Sequence, residues 1–245
     1  MGVLTSILDR SISGSFSSDL FFNVRDGAFY DCTSLTSVSF PNATSIGTLA
    51  FGYCKNLTSV NIPNATSIGG SAFYSCSSLT SASFPNVTSI GGSAFGSCNN
   101  LTSVDIPNAT SIGNDAFSPC RSLTSVAFPN ATSIGNYAFY DCTSLTEVSF
   151  PNATSIGDRA FYECRNLASV SFPNATSIGD SAFKSCSGLT TIYVGTDTST
   201  VCTLGTDAFY GCTNLTNIYV PASLVDSYKS ATNWYKYASK IKATP

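Results

Sequence analysis

Apolar and polar positions follow one another along this chain in a pattern that returns every 22 residues. In the stretch Leu35 to Cys54, LTSVSFPNATSIGTLAFGYC, the recurring apolar places are Leu35, Val38, Phe40, Ile46, Ala50, Phe51 and Cys54, and the circuit closes at Leu57. Cysteine is the clearest ruler: Cys32, Cys54, Cys76, Cys98, Cys120, Cys142, Cys164 and Cys186 are each 22 residues apart. A period held without drift marks a solenoid, in which each turn covers the apolar face of its neighbour. Val38 and Phe40 alternate inward as on a strand, so Ser37 and Ser39 point out. Pro41 removes a backbone donor and, with Asn42, ends the strand. Ile46 returns to the core, Gly47 permits a bend, and Ala50, Phe51 and Cys54 fill the opposite wall. The same strand running in the same direction at every turn predicts one parallel β-sheet with one short strand per turn, and irregular or short helical segments on the other side.

The pattern fails at both ends and once inside. Residues 1–27 carry scattered apolar positions (Leu4, Ile7, Leu8, Ile12, Phe16, Leu20, Phe21, Phe22, Val24) outside the register and read as an N-terminal cap, because the open end of a solenoid exposes core and unpaired strand edges. Residues 28–220 form the repeat array. Residues 221–245 read as a helical C-terminal cap, with Ser223 and Asp226 as a capping-box-like start and Trp234, Tyr235 and Tyr237 covering the last turn. Between Cys186 and Cys212 the spacing is 26 residues, so four have been inserted after the strand ending at Val194. The insertion reads as a bulge at the transition to the C-terminal cap, with a binding loop as the sharper alternative.

The unit LTSVSFPNATSIGxxAFxxC resembles the leucine-rich repeat of the BspA-like bacterial surface proteins, a type also found in protist surface proteins and in phage or prophage structural proteins. The resemblance covers about residues 28–220 and rests on the full set of positions in many tandem copies. It implies a leucine-rich-repeat solenoid and an association with adhesion and binding.

Composition narrows the chemistry. Only 10% of residues are charged and the net charge is −3, so no basic field is available to hold nucleic acid. No apolar run is long enough to span a membrane. The first sixteen residues lack both a basic start and an uninterrupted apolar core and do not read as a signal peptide. Histidine is absent, which removes Ser-His-Asp and Cys-His mechanisms and imidazole zinc sites; with no phosphate-cradling glycine motif either, the chain reads as a non-enzyme needing no cofactor or metal. Carboxylates one period apart, Asp141 with Glu163 and Asp158 with Asp180, read as surface ion pairs with Arg159 and Arg165, ahead of weak calcium binding. Stacked turns about 4.8 Å apart bring the column cysteines within disulfide range, but in-register side chains point the same way, which favours reduced, buried thiols. Cys202, off the column, is the place to look for an exception and the thiol to test for reactivity. The Asn-x-Thr triplets at Asn42, Asn64, Asn86, Asn108, Asn130, Asn152 and Asn174 are read as turn residues that bond their own backbone and stack, before they are read as glycan acceptors.

Positions that the repeat leaves free are where a partner would be recognised. The outward strand columns are mostly serine until Glu147, Tyr193 and Tyr219, and the residues around Ala-Phe and Cys supply Tyr140, Tyr162, Arg159, Arg165 and Lys184. Tyrosine gives contact area at low entropic cost. These eight are the candidate partner-binding residues of a binding or adhesion module directed at a protein or carbohydrate on a cell surface. The expected setting is extracellular, on a cell surface or on a phage virion. The alternatives are a structural spacer or decoration, and a lattice-matching surface for ice or crystalline polysaccharide.

Overall fold

The computed structural model describes residues 12–195 and 199–245. Leu4, Ile7 and Leu8 of the expected N-terminal cap, and Thr196 to Thr198 of the insertion, lie outside the described residues.

The chain winds as a parallel β-solenoid, and two walls of each turn are strands rather than one. On the front wall lie Leu35–Ser39, Ser59–Asn61, Ser81–Ser83, Ser103–Asp105, Ser125–Ala127, Glu147–Ser149, Ser169–Phe172, Thr191–Val194 and Asn217–Val220, paired in parallel with a register of one period. With Gly14–Ser17 before them and Ile241–Ala243 after, their hydrogen bonding is divided among four sheets of three, two, two and four strands. The longest ladder is on the side wall, where the Ser-Ile pairs from Ser45–Ile46 to Thr203–Leu204 form one continuous eight-stranded parallel sheet. The remaining wall, expected to be irregular or helical, is built of turns. Two of its positions adopt left-handed backbone in successive units, as at Tyr137 (φ 57°) and Asp141 (φ 56°), and again at Arg159 (φ 53°) and Glu163 (φ 61°).

The core is one column per apolar place. Phe51, Phe73, Phe95, Phe117, Phe139 and Phe161 stack ring on ring with centroids 5.2–5.3 Å apart. Leu, Ala, Cys and Ile columns surround them, all buried. The ten cysteines are free and buried, as the in-register argument requires. From Cys54 to Cys212 each column thiol donates to the phenylalanine carbonyl one rung back at 2.9–3.2 Å, for example Cys120 to Phe95 and Cys142 to Phe117.

Polar side chains stitch the outside in the same direction. Each triplet asparagine from Asn64 to Asn174 donates its Nδ2 to the proline carbonyl of the preceding rung at 2.7–3.0 Å, so these side chains bond a neighbour's backbone and not their own. Side-wall threonines act likewise, Thr66 Oγ1 to the Thr44 carbonyl and Thr154 Oγ1 to the Thr132 carbonyl, both at 3.1 Å. A hydrogen bond of this kind is worth about 1 kcal/mol. Asn130→Ala is expected to cost about that much in urea unfolding, because the Pro107 carbonyl loses its side-chain donor.

Both ends differ in detail from the sequence reading. Gly14–Ser17 already lies in the front-wall register, pairing Ser15 with Ser37 and Ser17 with Ser39, while Val24 bridges Ile46. At the other end Ala222–Leu224 is a 3-10 turn leading into a helix at Val225–Ser230. The capping box expected from Ser223 and Asp226 does not form, since neither helix start carries a side-chain cap. A second 3-10 segment, Trp234–Lys240, leads to a strand at Ile241–Ala243 that pairs with Asn217–Val220. Trp234 and Tyr237 cover Phe209 as expected, whereas Tyr235 points away and is 58% exposed.

The insertion is held by this cap. The Cys202 backbone N–H donates to the Tyr228 hydroxyl at 2.9 Å, and Trp234 Nε1 donates to the Cys202 carbonyl at 2.7 Å. Cys202 is therefore fully buried, and desolvation pushes its thiol up to about 12, so this off-column thiol is no exception to the burial of the column.

Candidate interaction surface

The eight candidate residues fall into two groups, because alternate strand residues and turn residues project from different walls. Glu147, Tyr193 and Tyr219 stand on the front wall. Glu147 is exposed on the rim of a shallow depression of about 550 Å³ floored by Ser103, Ser125, Ala127, Ser149 and Ser169. Tyr193 and Tyr219 occupy the same outward column as Ser171, on successive strands, and their rings stack at 4.9 Å with planes 21° apart. Lys242 is next in that column, paired with Tyr219, and its Nζ donates to Asn217 Oδ1 at 2.6 Å. Nothing in the repeat pattern places Lys242 here, since its strand follows the short helical segments of the cap and lies outside the register.

Tyr140, Tyr162, Arg159, Arg165 and Lys184 stand on the turn wall and are engaged with one another or with neighbours. Tyr140 and Tyr162 stack at 5.2 Å, and Tyr137 packs against Tyr140 at 5.9 Å. Partial burial raises the Tyr140 hydroxyl above its ordinary range, with a smaller contribution from the Glu163 carboxylate. The Arg159 guanidinium lies 5.3 Å from the Tyr137 ring and hydrogen-bonds its hydroxyl. Lys184 sits 4.9 Å from the ring of Tyr210. Arg165 pairs with Glu163 at 2.9 Å, as expected. Asp141 takes Arg121 as its partner at 2.6 Å, in place of Arg159 or Arg165. Both arginines are more than half exposed, so each pair contributes at most about 1 kcal/mol.

The second pair of carboxylates does something else. Asp158 Oδ1 accepts the Asp180 backbone N–H at 2.8 Å, and Asp180 Oδ1 accepts that of Thr206 at 2.6 Å. Asn136 and Asn114 make the same bond one and two rungs earlier, at 2.9 Å. These are rung-to-rung braces and not an ion-pair network with Arg159. Among the described residues no group of three or more His, Cys, Asp or Glu side chains is placed to hold a metal, and no helix is long and apolar enough to cross a membrane.

A model of the BspA-type leucine-rich repeat region, described as six copies of the repeat, matches residues 22–132 and 110–236. No curated protein matches the sequence. Among solved structures, the leucine-rich repeat protein of T. pallidum is 28% identical, with a TM-score of 0.60 over 66% of this chain and 80% of that one. A leucine-rich repeat protein from Bacteroides ovatus is 21% identical, with a TM-score of 0.45 over 96% of this chain and 85% of that one. A leucine-rich cell surface protein from Faecalibacterium prausnitzii is 22% identical, with a TM-score of 0.43 over 95% and 83%. The T. pallidum protein shares the fold of about two thirds of the solenoid, and the family model spans nearly all of it. The chain belongs to the BspA-type leucine-rich repeat family.

Proposed function

We propose that this protein is a non-enzymatic binding and adhesion module that works outside the producing cell, on a cell surface or a virion, and that its front wall from Glu147 to Tyr219 contacts a protein on a target cell. The stacked Tyr193–Tyr219 pair carries this reading. Seven rungs of serine, asparagine, aspartate and alanine in the same column need no such residues to fold, so two adjacent aromatic rings there answer no demand of the stack. Aromatic residues of this kind dominate protein contact sites. Leucine-rich repeat proteins commonly bind proteins, which supports the same reading. The turn-wall cluster is weaker as a contact site because Arg121, Arg165 and Arg159 already have partners within the chain.

Replacing both tyrosines with alanine is expected to reduce retention on target cells at least tenfold while leaving the thermal transition in place. Treating the cells with protease removes a protein partner and spares a glycan, so the same assay separates the two. A spacer or decoration role is favoured by one observation, the unbroken eight-stranded side ladder, which gives a stiff body of set length. Retention that survives the double substitution would leave that role as the better account.

A further inference from the structure

We infer that the two ends of the solenoid are complementary and that copies of this chain associate head to tail. The inference goes beyond partner binding on the front wall and uses neither Glu147 nor the Tyr193–Tyr219 pair. Among the described residues the large apolar side chains left exposed are Leu20 (70%), Phe22 (53%), Tyr30 (38%), Tyr210 (62%) and Tyr235 (58%). Three belong to the first turn and two to the last; the rungs between expose none.

The two sets match wall by wall. On the front wall the first described strand, Gly14–Ser17, is paired on one side by Leu35–Ser39, and the last, Ile241–Ala243, on one side by Asn217–Val220, so among the described residues each terminates its sheet. A parallel edge that ends a sheet is a template for another strand. On the side wall Phe22 holds the place of Thr44, whose N–H bonds the Phe22 carbonyl, just ahead of the ladder. That ladder ends at Leu204, whose carbonyl accepts Asn233 Nδ2 at 2.8 Å, two residues before the exposed Tyr235. On the turn wall Tyr30 and Tyr210 hold the same place in their units. Translation of one copy along the axis therefore brings edge to edge, Phe22 toward Tyr235 and Tyr30 toward Tyr210.

Charge points the same way. Residues 212–245 carry Lys229, Lys236, Lys240 and Lys242 against Asp226 alone, whereas the rest of the chain carries thirteen acidic residues against seven basic. Continuing the front column past Lys242 places Ser17 of the next copy beside it, with exposed Asp19 two residues on. Contacts of this heterologous type do not close on themselves, so the product is an open filament.

Sedimentation equilibrium of the full chain at low salt tests the inference. The average mass is expected to rise with concentration past that of a dimer, and to fall when salt is added. Phe22→Asp and Tyr235→Asp, each spoiling one end at an exposed position, are expected to stay monomeric alone and to form dimers, and nothing larger, when mixed. Circular dichroism melts identify a variant that has lost its fold; the exchange pair Lys242→Glu with Asp19→Lys then serves instead, each monomeric alone and the doubly changed chain associating again. A wild-type mass fixed at one chain up to the solubility limit, or a dimer that gains nothing with concentration, overturns the inference.

Discussion

Between about pH 9 and about pH 10.5 this protein is expected to lose its fold, and the cysteine columns are the cause. Burial pushes the thiols of Cys54, Cys98, Cys142, Cys202 and Cys212 up to about 12, and those of Cys76, Cys120, Cys164 and Cys186 well above the ordinary 9.0. Desolvation is the leading cause in every case, and for Cys76, Cys120 and Cys164 the neighbouring column thiols raise the value further. In the unfolded chain the same thiols ionise near about 8.5. A group whose native value is raised favours the folded state fully below its unfolded value and loses that advantage as pH climbs toward the native one. Above about pH 9 each thiol therefore withdraws about 1.4 kcal/mol per pH unit. Nine acting together withdraw roughly 12 kcal/mol within one unit, which is as large as the whole stability of an ordinary domain, about 5–15 kcal/mol. Circular dichroism through an alkaline titration in the presence of a reductant checks this. In urea unfolding between about pH 8.5 and 9.5, Cys120→Ala is expected to reduce the slope of stability against pH by one thiol's share. A fold that persists unchanged past pH 10.5 would count against the burial of the column.

Gly91→Ala is expected to be among the most damaging single methyl groups that can be added to the middle of the array. A Cβ at Gly91 would lie 2.6 Å from the carbonyl carbon of Gly69 and the nitrogen of Gly70, atoms of a neighbouring rung that have no rotamer to change. The same holds in each unit, including Gly113, Gly135 and Gly157, so the residue is required by close approach of backbones and not by a bend. Overpacking usually costs about 1–3 kcal/mol, and a collision of backbone with backbone belongs at or beyond the upper end. Gly70→Ala is the matched control: its Cβ would meet the Gly92 carbonyl oxygen at 3.5 Å, an ordinary contact. That variant is expected to stay within about 0.5 kcal/mol of the parent. Equal effects in urea titration would remove the close-approach explanation.

The period, the inward columns and the parallel direction were legible in the sequence because Leu35, Val38, Phe40, Ile46, Phe51 and Cys54 recur without slippage, and one buried column per place is all the fold needs. The side ladder was not. Its strands are two residues long, Ser45–Ile46 and its repeats, and two residues are too few to display an alternation. Gly47 looked like a bend because sequence records an absent side chain without saying what occupies the space. The partners of Asp141 and Asp158 were misjudged for a related reason: which of several arginines reaches a carboxylate depends on the left-handed turns at Asp141 and Arg159, and glycine, the usual marker of such a conformation, is absent from both. The candidate contact residues were found as departures from the repeat. Their division between two walls follows from geometry that no column alignment contains.

The stitching of each rung to the one before it has a genetic consequence. Every unit offers the same asparagine and threonine donors in one direction and the same carbonyls in the other, so excising or duplicating one whole period leaves the newly joined surfaces matched. Recombination between copies can then lengthen or shorten the molecule in steps of about 4.8 Å without inventing a single new contact. A slip of any other length would misalign every column beyond it. The four residues gained before Cys212 are tolerated at the edge of the array, where Tyr228 and Trp234 take hold of the extra backbone. Reach is thus the property of this protein most open to inheritance by small steps.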